Sequence, residues 1–500
     1  MKNTVLKIQD NKVYTAVPGE KNTYSIIGNP NKKVKIEPNM ASFLERISNK
    51  TLPELEREEL NKNNSKVFLF PDNFIRENGN EKEKDDEKVY ILKTFKDNTN
   101  KLTSLSTQLT GNLIGFLGQG QQQLVIKSRF DNENDDCFLF YMLSRALKIP
   151  FLHSYELSKN AQERMIEYYI FLFPFYLKMA MKKGPYKTYI EKQYNDANIK
   201  GVIDVQRHIN HNIPFAGKIA YHQREFSYDN HLMELIRHTI DFIKHRYGNE
   251  FFGSIKEYVN KIEELTPEYD KSKRNKIILE NKRNIVRSKY YCDYKKLQEL
   301  CLCILEYKKI GLSGDSDNQI YGVLFDASWI WEEYVNTLIK EVFYHPKNKE
   351  KIGTQRLFKK WNGENYVQDY VQDIYPDFIG KNPQKRIIAD AKYKPIDNIG
   401  RNDYFQVLAY MLRFDSSLAY YLYPSTKEEK EKADEKFEIP KGINWPGVEE
   451  SLENRVDDEK LIVIKHGLVI PKSNGDSHEF EIQIKENEKI FVQEVINVVG

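Results

Sequence analysis

The spacing of apolar and polar positions changes twice along the chain, and each change marks a change of element type. Before residue 130, runs such as KVYTAV, TYSIIG and KKVKIEP alternate or are β-branched and end in Gly, Asn or Pro. That is the pattern of short strands between tight turns. One helix is expected over Met40–Ile47. Strand signals return at VYILKTF, and NLIGFLG with QQQLVIKSRF reads as a hairpin around Gly118-Gln-Gly-Gln. From Cys137 the apolar residues recur at helical spacing, first in CFLFYMLSRAL, then over Ala161–Met181 and His231–Gly248. In the last of these Leu232, Leu235, Ile236, Thr239, Ile240 and Ile243 form one stripe. Charged helical stretches continue to Ile310, and Gly311–Asp317 reads as a linker.

The remaining chain mixes both periods. It gives a helix over Ala327–Val342, strands at YVQDIYPDFIG and RIIADAKYK, a helix over Asp403–Phe414 and an apolar strand at SLAYYLYP. LIVIKHGLVIP and KIFVQEVINVV follow as further strand and helix. This order suits an α/β layer around a mixed sheet. The expected architecture is a multidomain α/β protein. Residues 1–135 form a β-rich N-terminal region, 136–310 a helical middle, and 311–500 an α/β domain with a mixed central sheet.

Composition narrows the class. At 500 residues there is room for about three domains. With 40% hydrophobic and 30% charged residues the chain is not expected to be disordered. A formal charge of +3 excludes a bulk polycation but leaves room for a local basic groove. Lys127 and Arg129 are candidates to touch DNA or a partner, although a solvated strand face is the plainer reading. The runs Asn78–Lys88 and 426–437 read as solvated charge. Four cysteines without a CxxC pair give no disulfide framework, so a reducing, cytoplasmic setting is expected. The N-terminus lacks a signal-peptide core, and the apolar stretch Tyr168–Met181 is too short to span a bilayer, so no membrane association is expected.

The chemistry concentrates in Tyr375-Pro-Asp377-Phe-Ile-Gly and Arg386-Ile-Ile-Ala-Asp390-Ala-Lys392. A hairpin centred between Pro383 and Gln384 sets Asp377 opposite Asp390, with Cβ atoms about 5 Å apart. The strand period then puts Asp390 and Lys392 on one face. Two carboxylates so close repel unless a cation bridges them, and hard oxygen ligands favour Mg²⁺ or Mn²⁺. Lys392 would then hold or deprotonate a water, or stabilise charge developing on a phosphate. A bare Asp-x-Lys reads first as a surface ion pair of little worth; the preceding Pro-Asp at hairpin spacing is what raises it to a candidate site. Glu332 borders the apolar stripe of ASWIWEEYVNTLIKEV and could extend the site, or be a solvated helix residue, while Glu333 is expected to face solvent. Gln406 and Tyr410, four apart on DYFQVLAYML, share a helix face and could touch phosphates or position the lysine. On their own they read as ordinary helix residues.

Pro-Asp, then Asp-Ala-Lys, then Gln-x-x-x-Tyr resembles the PD-(D/E)xK nuclease superfamily in its RecB-like form. More specifically, the chain resembles McrC, the nuclease subunit of McrBC modification-dependent restriction systems, including LlaJI-type systems. The resemblance extends to IKGVIDVQRHI (Ile199–Ile209), to KIAYHQREFSYDNHLMELIRHTI from Lys218, and to WIWEEYV, where Trp331 replaces the usual Phe. It covers roughly residues 110–425. It implies a restriction-endonuclease-like fold for residues 311–500 and Mg²⁺-dependent cleavage of modified, 5-methylcytosine-type double-stranded DNA. It also implies a partner AAA+ GTPase of the McrB type, engaged and stimulated by the N-terminal region. Asp377 and Asp390 would be metal ligands, Glu332 the helix glutamate beside them, Lys392 the catalytic lysine, and Gln406 and Tyr410 the Gln-x-x-x-Tyr pair. A single such set per chain implies two copies for double-strand cleavage. This chain has no Walker A sequence of its own; Gly115–Gly120 followed by Lys127-Ser128 has the wrong spacing. The rival readings are a non-cleaving DNA-binding activator of an AAA+ partner and a RecB-like repair nuclease.

Overall fold

The computed structural model describes residues 4–18, 24–27, 33–51, 54–55, 66–71, 90–96, 98, 102–107, 112–131, 137–151, 161–307, 319–346, 355–361, 363, 365–384, 386–426, 435–439, 460–472 and 476–499. The expected linker Gly311–Asp317, the charge run 78–88 and most of the run 426–437 lie outside them. The chain forms two compact units, Met1–Ala161 with Gly311–Gly500, and Gln162–Ile310. It is a mixed α/β protein with strands at its N-terminus, a helical middle and a mixed C-terminal sheet.

The first unit holds three large sheets. One orders Thr4–Gln9, Gln122–Lys127, Leu113–Gln119, Ile320–Asp326 and Lys66–Phe70. Its hairpin pairs Gln119 with Gln122 across a tight turn, with Gly120 at φ +54°, where the sequence placed it. Ile320–Asp326 pairs antiparallel with Leu113–Gln119 and parallel with Lys66–Phe70. A strand from the second half of the chain thus completes the N-terminal sheet. Every residue of Ile320–Asp326 is buried, which suits an interior strand covered on both faces. A second, antiparallel sheet orders Lys33–Ile36, Tyr24–Ile27, Val13–Pro18, Leu102–Ser106 and Lys93–Lys96. Helix Pro38–Ile47 buries Met40, Phe43, Leu44 and Ile47 into the core shared with these strands.

The third sheet orders Phe343–Tyr344, Phe378–Gly380, Ile387–Ala391, Leu418–Ser425, Leu461–Val469 and Glu435–Ile439. It is mixed: the central three long strands run parallel, and antiparallel pairs flank them. Helix Arg401–Phe414 covers one face through Val407, Tyr410, Met411 and Phe414. Helix Ala327–Ile339 ties to the sheet through Trp331, whose indole N–H donates to the Leu422 carbonyl at 3.1 Å. Tyr334, Tyr141 and Glu488 join three helices: both phenols donate to the Glu488 carboxylate, at 2.7 and 2.9 Å. Helix Cys137–Leu147 therefore packs with Ala327–Ile339 and Ser477–Val499 in the first unit, whereas the sequence grouped it with the helical middle. The strand and helix expected at LIVIKHGLVIP and KIFVQEVINVV are both present: strand Leu461–Val469 is followed by helix Ser477–Val499, which buries Phe480, Ile484, Phe491 and Val495 on one side.

Lys127 and Arg129 are not on a solvated face. Lys127 is buried, and Arg129 clamps the fully buried Asp10 through Nε and Nη2 at 3.0 and 2.6 Å. The pair forms because Asp10 and Arg129 follow the ends of two neighbouring parallel strands, Thr4–Gln9 and Gln122–Lys127, which bring them together. A surface role for these two side chains is thereby corrected.

The second unit is built on helices, with Ala161–Met181 and His231–Tyr247 the longest. It also holds a three-stranded antiparallel sheet of Thr188–Asp196, Ile219–Ser227 and Val202–Ile203, which the periodicity did not reveal. Asn230 caps the second of these helices by accepting from Leu232 and Met233 N–H. One turn in, Glu234 has a buried Oε2 without a hydrogen-bond partner. Burial, and then the charge of Asp229, push its carboxyl up to about 7. The folded state therefore binds a proton that the unfolded chain releases near pH 4.5, the ordinary value. Stability from this group is fully present below that pH and is lost as pH rises through about 7. Chemical denaturation of Glu234→Gln across pH 5–8 is expected to show a flatter profile than wild type, with the variant gaining relative to wild type at the alkaline end. Parallel profiles would contradict this.

Candidate active site

Strands Phe378–Gly380 and Ile387–Ala391 pair antiparallel, Phe378 with Ala389 and Ile379 with Ile388. Continued by one step, that register sets Asp377 opposite Asp390, as the sequence spacing required. The pairing follows from two short apolar strands joined by a polar turn, which leaves little freedom to slip. Asp390 is only 1% exposed, and its parallel neighbour on the next strand is the buried Tyr421. Asp377 is half-buried, and its Oδ2 accepts from Ala391 N–H at 2.8 Å.

Lys392 leaves the end of the strand on the Asp390 side. Its Nζ lies 2.6 Å from Asp390 Oδ2 and donates to Gln406 Oε1 at 3.0 Å. Gln406 Nε2 in turn donates to the Tyr410 hydroxyl at 2.7 Å. Both sit on one face of helix Arg401–Phe414, four residues apart, so a single helix holds the lysine and its brace. Four of the residues chosen from sequence thus form one chain of contacts, Asp390–Lys392–Gln406–Tyr410.

Glu332 stands on helix Ala327–Ile339, whose start is fixed by Asp326 accepting from Ser328 and Trp329 N–H at 3.0 and 3.1 Å. Its carboxylate lies 3.7 Å from His345 Nε2, and that of Glu333 lies 3.3 Å from the same nitrogen. Glu333 thus turns inward rather than to solvent. His345 follows the short edge strand Phe343–Tyr344, lies against Phe378, and its Nδ1 is 2.9 Å from the Asp377 carbonyl. Burial pulls its pKa down, but Glu333 and the Asp377 carbonyl outweigh this and leave it raised. Asp403 is the other residue the sequence did not single out. It accepts from Lys394 Nζ at 2.7 and 2.9 Å and from Gly400 N–H at 2.9 Å, and lies 3.6 Å from Lys392 Nζ. Its place three residues after Gly400 is a helix-start signal, but nothing local ties it to a lysine eleven residues earlier.

The electrostatics are those of crowded charge. Burial, then the charges of Glu332 and Asp390, push the Asp377 carboxyl well above the usual range. Burial also raises Asp390, against the pull of Lys392. Burial opposes the Lys392 charge, but Asp390 and Asp377 outweigh it and raise its pKa. Burial and then Asp390 push Tyr410 up to about 12. For Asp403 the Lys394 and Gly400 hydrogen bonds outweigh burial and lower it.

Two facing, repelling carboxylates with Glu332 close enough to act on Asp377 make a hard-oxygen donor set that suits a divalent cation. Among the described residues no three His, Cys, Asp or Glu side chains form a ready-made metal-binding group. The carboxylates are instead occupied by Lys392, Ala391 N–H and His345.

The family described as McrBC 5-methylcytosine restriction system component matches residues 109–424, well over half of the chain. The chain belongs to this family. The match contains all six residues singled out above, Glu332, Asp377, Asp390, Lys392, Gln406 and Tyr410. Among solved structures, the chain is similar to one described as a refined half-complex from the tetradecameric assembly of Thermococcus gammatolerans McrB AAA+ hexamers with bound McrC. The identity is 14%, over 80% of this chain and 84% of that one, at a TM-score of 0.38. It is also similar to a chain of the Thermococcus gammatolerans McrBC complex, at 12% identity over 67% of this chain and 87% of that one, TM-score 0.29. Both likenesses are distant; the family assignment rests on the match over residues 109–424. Comparison with curated proteins gave no match. No helix among the described residues is long and apolar enough to cross a membrane.

In this McrBC-family chain the crowding should carry a measurable cost. Asp377→Asn removes a charge beside Glu332 and Asp390 and keeps an acceptor for Ala391 N–H. In metal-free buffer it is expected to raise stability by about 0.5–2 kcal/mol, the ordinary scale of a single stabilising substitution. Urea denaturation reads this, and a comparable loss would show that Lys392 more than offsets the repulsion.

Proposed function

We propose that this chain is the DNA-cleaving subunit of its restriction system: a Mg²⁺-dependent endonuclease (Mn²⁺ serving equally) that hydrolyses phosphodiesters in modified double-stranded DNA. The observation that supports this most is the convergence of Asp377, Asp390 and Lys392 at the end of one hairpin, with Gln406 holding the lysine. Asp377 and Asp390, with Glu332 the further carboxylate, would hold the cation. When bound, the cation would polarise the scissile phosphate and lower the proton affinity of the attacking water. Lys392 presents an ammonium to the negative charge that grows on the phosphate oxygens. Gln406, supported by Tyr410, keeps that ammonium on the site, and the buried strand Ile387–Ala391 keeps the carboxylates from drifting apart. The reading extends to a partner AAA+ GTPase of the McrB type and to a cytoplasmic setting. The chain's near-balanced charge suits a subunit that does not grip DNA tightly by charge alone.

Asp390→Ala is expected to lower cleavage about a thousandfold, the scale of losing several kcal/mol of metal-borne stabilisation. The partner's GTP hydrolysis should be unchanged. Loss of both in a folded protein would contradict the separation of the two roles, and full cleavage would exclude the nuclease reading in favour of a non-cleaving activator. Lys392→Ala should keep DNA binding and lose turnover, since lysine makes no metal bond.

One set of these residues per chain further implies that two copies cut the two antiparallel strands, related by a two-fold axis. In mixtures of wild type and Asp390→Ala at fixed total amount, double-strand breaks should fall with the square of the wild-type fraction while nicked product accumulates. A linear fall without nicks would mean that each chain cuts both strands.

A further inference from the structure

Strand Ile387–Ala391 ends one residue before Lys392. The Lys392 N–H still donates to the Leu422 carbonyl at 2.9 Å, but Lys394 N–H already turns back to the Lys392 carbonyl at 2.9 Å. The ammonium therefore hangs from a turn, and its aim depends on what fastens that turn. On one side the fastening is plain: Lys394 is held by Asp403 on helix Arg401–Phe414.

Tyr393, between the two lysines, supplies the other side. It is 3% exposed, and its hydroxyl lies 2.6 Å from Ser128 Oγ. Its ring meets Phe130 edge-on at 5.2 Å between centroids, and the Arg129 guanidinium lies 5.2 Å from the ring centre. Ser128, Arg129 and Phe130 directly follow strand Gln122–Lys127 of the N-terminal sheet. Arg129 is itself fixed: besides its side-chain bonds to Asp10, its backbone N–H donates to Asp10 Oδ1 at 2.7 Å, and Nη2 donates to Asn112. Tyr393 is thus gripped by a segment that a buried ion pair locks to the adjacent strand.

We propose that Tyr393 is a positioning residue: gripped by Ser128, Arg129 and Phe130, it fixes the turn that aims the Lys392 ammonium at Asp390. Its consequence for cleavage rests on the nuclease reading above; the geometric claim does not. The route Asp10–Arg129–Tyr393–Lys392 makes the N-terminal sheet mechanically continuous with the reacting centre.

Tyr393→Phe and Ser128→Ala remove the same hydrogen bond from opposite ends and leave the ring in place. The full chain is treated briefly with acetic anhydride, and acetylation of each lysine is followed by mass spectrometry. Lys392 labelling is expected to rise about fivefold in either variant, the factor that one ordinary hydrogen bond is worth. It should rise no further in the double variant, because the two changes delete one interaction. Lys465, buried and paired with Glu435 at 2.9 Å, should keep its wild-type rate. Tyr393→Leu, which also deletes the ring, should raise Lys392 labelling more. In DNA cleavage with Mg²⁺ and the AAA+ partner, kcat should fall about fivefold in Tyr393→Phe with the half-saturating DNA concentration unchanged. Unchanged Lys392 labelling would overturn the proposal, as would an equal rise at Lys465, which would show general loosening. If wild type itself does not cleave, the nuclease reading fails, and the labelling still decides the role of Tyr393.

Discussion

Asp390 is almost wholly buried, and the hairpin register sets a second carboxylate, Asp377, opposite it. Removing even one such charge from water is costly unless an opposite charge accompanies it. The Lys392 ammonium, 2.6 Å from Asp390, meets that requirement in the absence of any other cation. Much of the surrounding architecture serves this ion pair. Gln406 braces the ammonium, Tyr410 braces Gln406, Asp403 lies near it and holds the neighbouring Lys394, and Tyr393 fastens the chain on the opposite side. In the function proposed above, Asp377 and Asp390 would hold a divalent cation, and the Lys392 ammonium would then be available to a phosphate.

The sheets explain how these groups stay in place. The site strand is the third of six in a mixed sheet, with a helix holding Gln406 and Tyr410 on the Asp390 face. The N-terminal sheet reaches the same site twice. Its strand Ile320–Asp326 runs directly into the helix that carries Glu332, with Asp326 capping the junction. The segment after Gln122–Lys127 grips Tyr393. The N-terminal sheet is thus joined to the candidate catalytic centre through the Asp326 junction and through Tyr393.

What the sequence made legible was local. The Asp377–Asp390 register followed from strand period and turn length, and Gln406 with Tyr410 followed from helical spacing; the structure places both pairs accordingly. What it hid was long-range. His345 reaches Glu332 and the Asp377 carbonyl from just after an edge strand only two residues long, and Asp403 meets Lys392 across a turn. Arg129 looked like a surface cation because its partner, Asp10, lies more than a hundred residues earlier. Helix Cys137–Leu147 is apolar on nearly all sides, so its pattern announced burial without saying against what. The three-stranded sheet of the middle unit escaped because its strands expose large apolar residues such as Tyr189 and Phe226, which blurs the two-residue alternation.

The proposed function requires Asp377 and Asp390 together to hold a divalent cation in place of the Lys392 ion pair. Anomalous X-ray scattering from crystals of the full chain soaked in Mn²⁺ tests it without relying on activity. A peak is expected between the two carboxylates, within bonding distance of an oxygen of each, and no such peak in crystals of Asp390→Ala. A wild-type crystal in which Mn²⁺ binds elsewhere, with Lys392 still paired to Asp390, would contradict it.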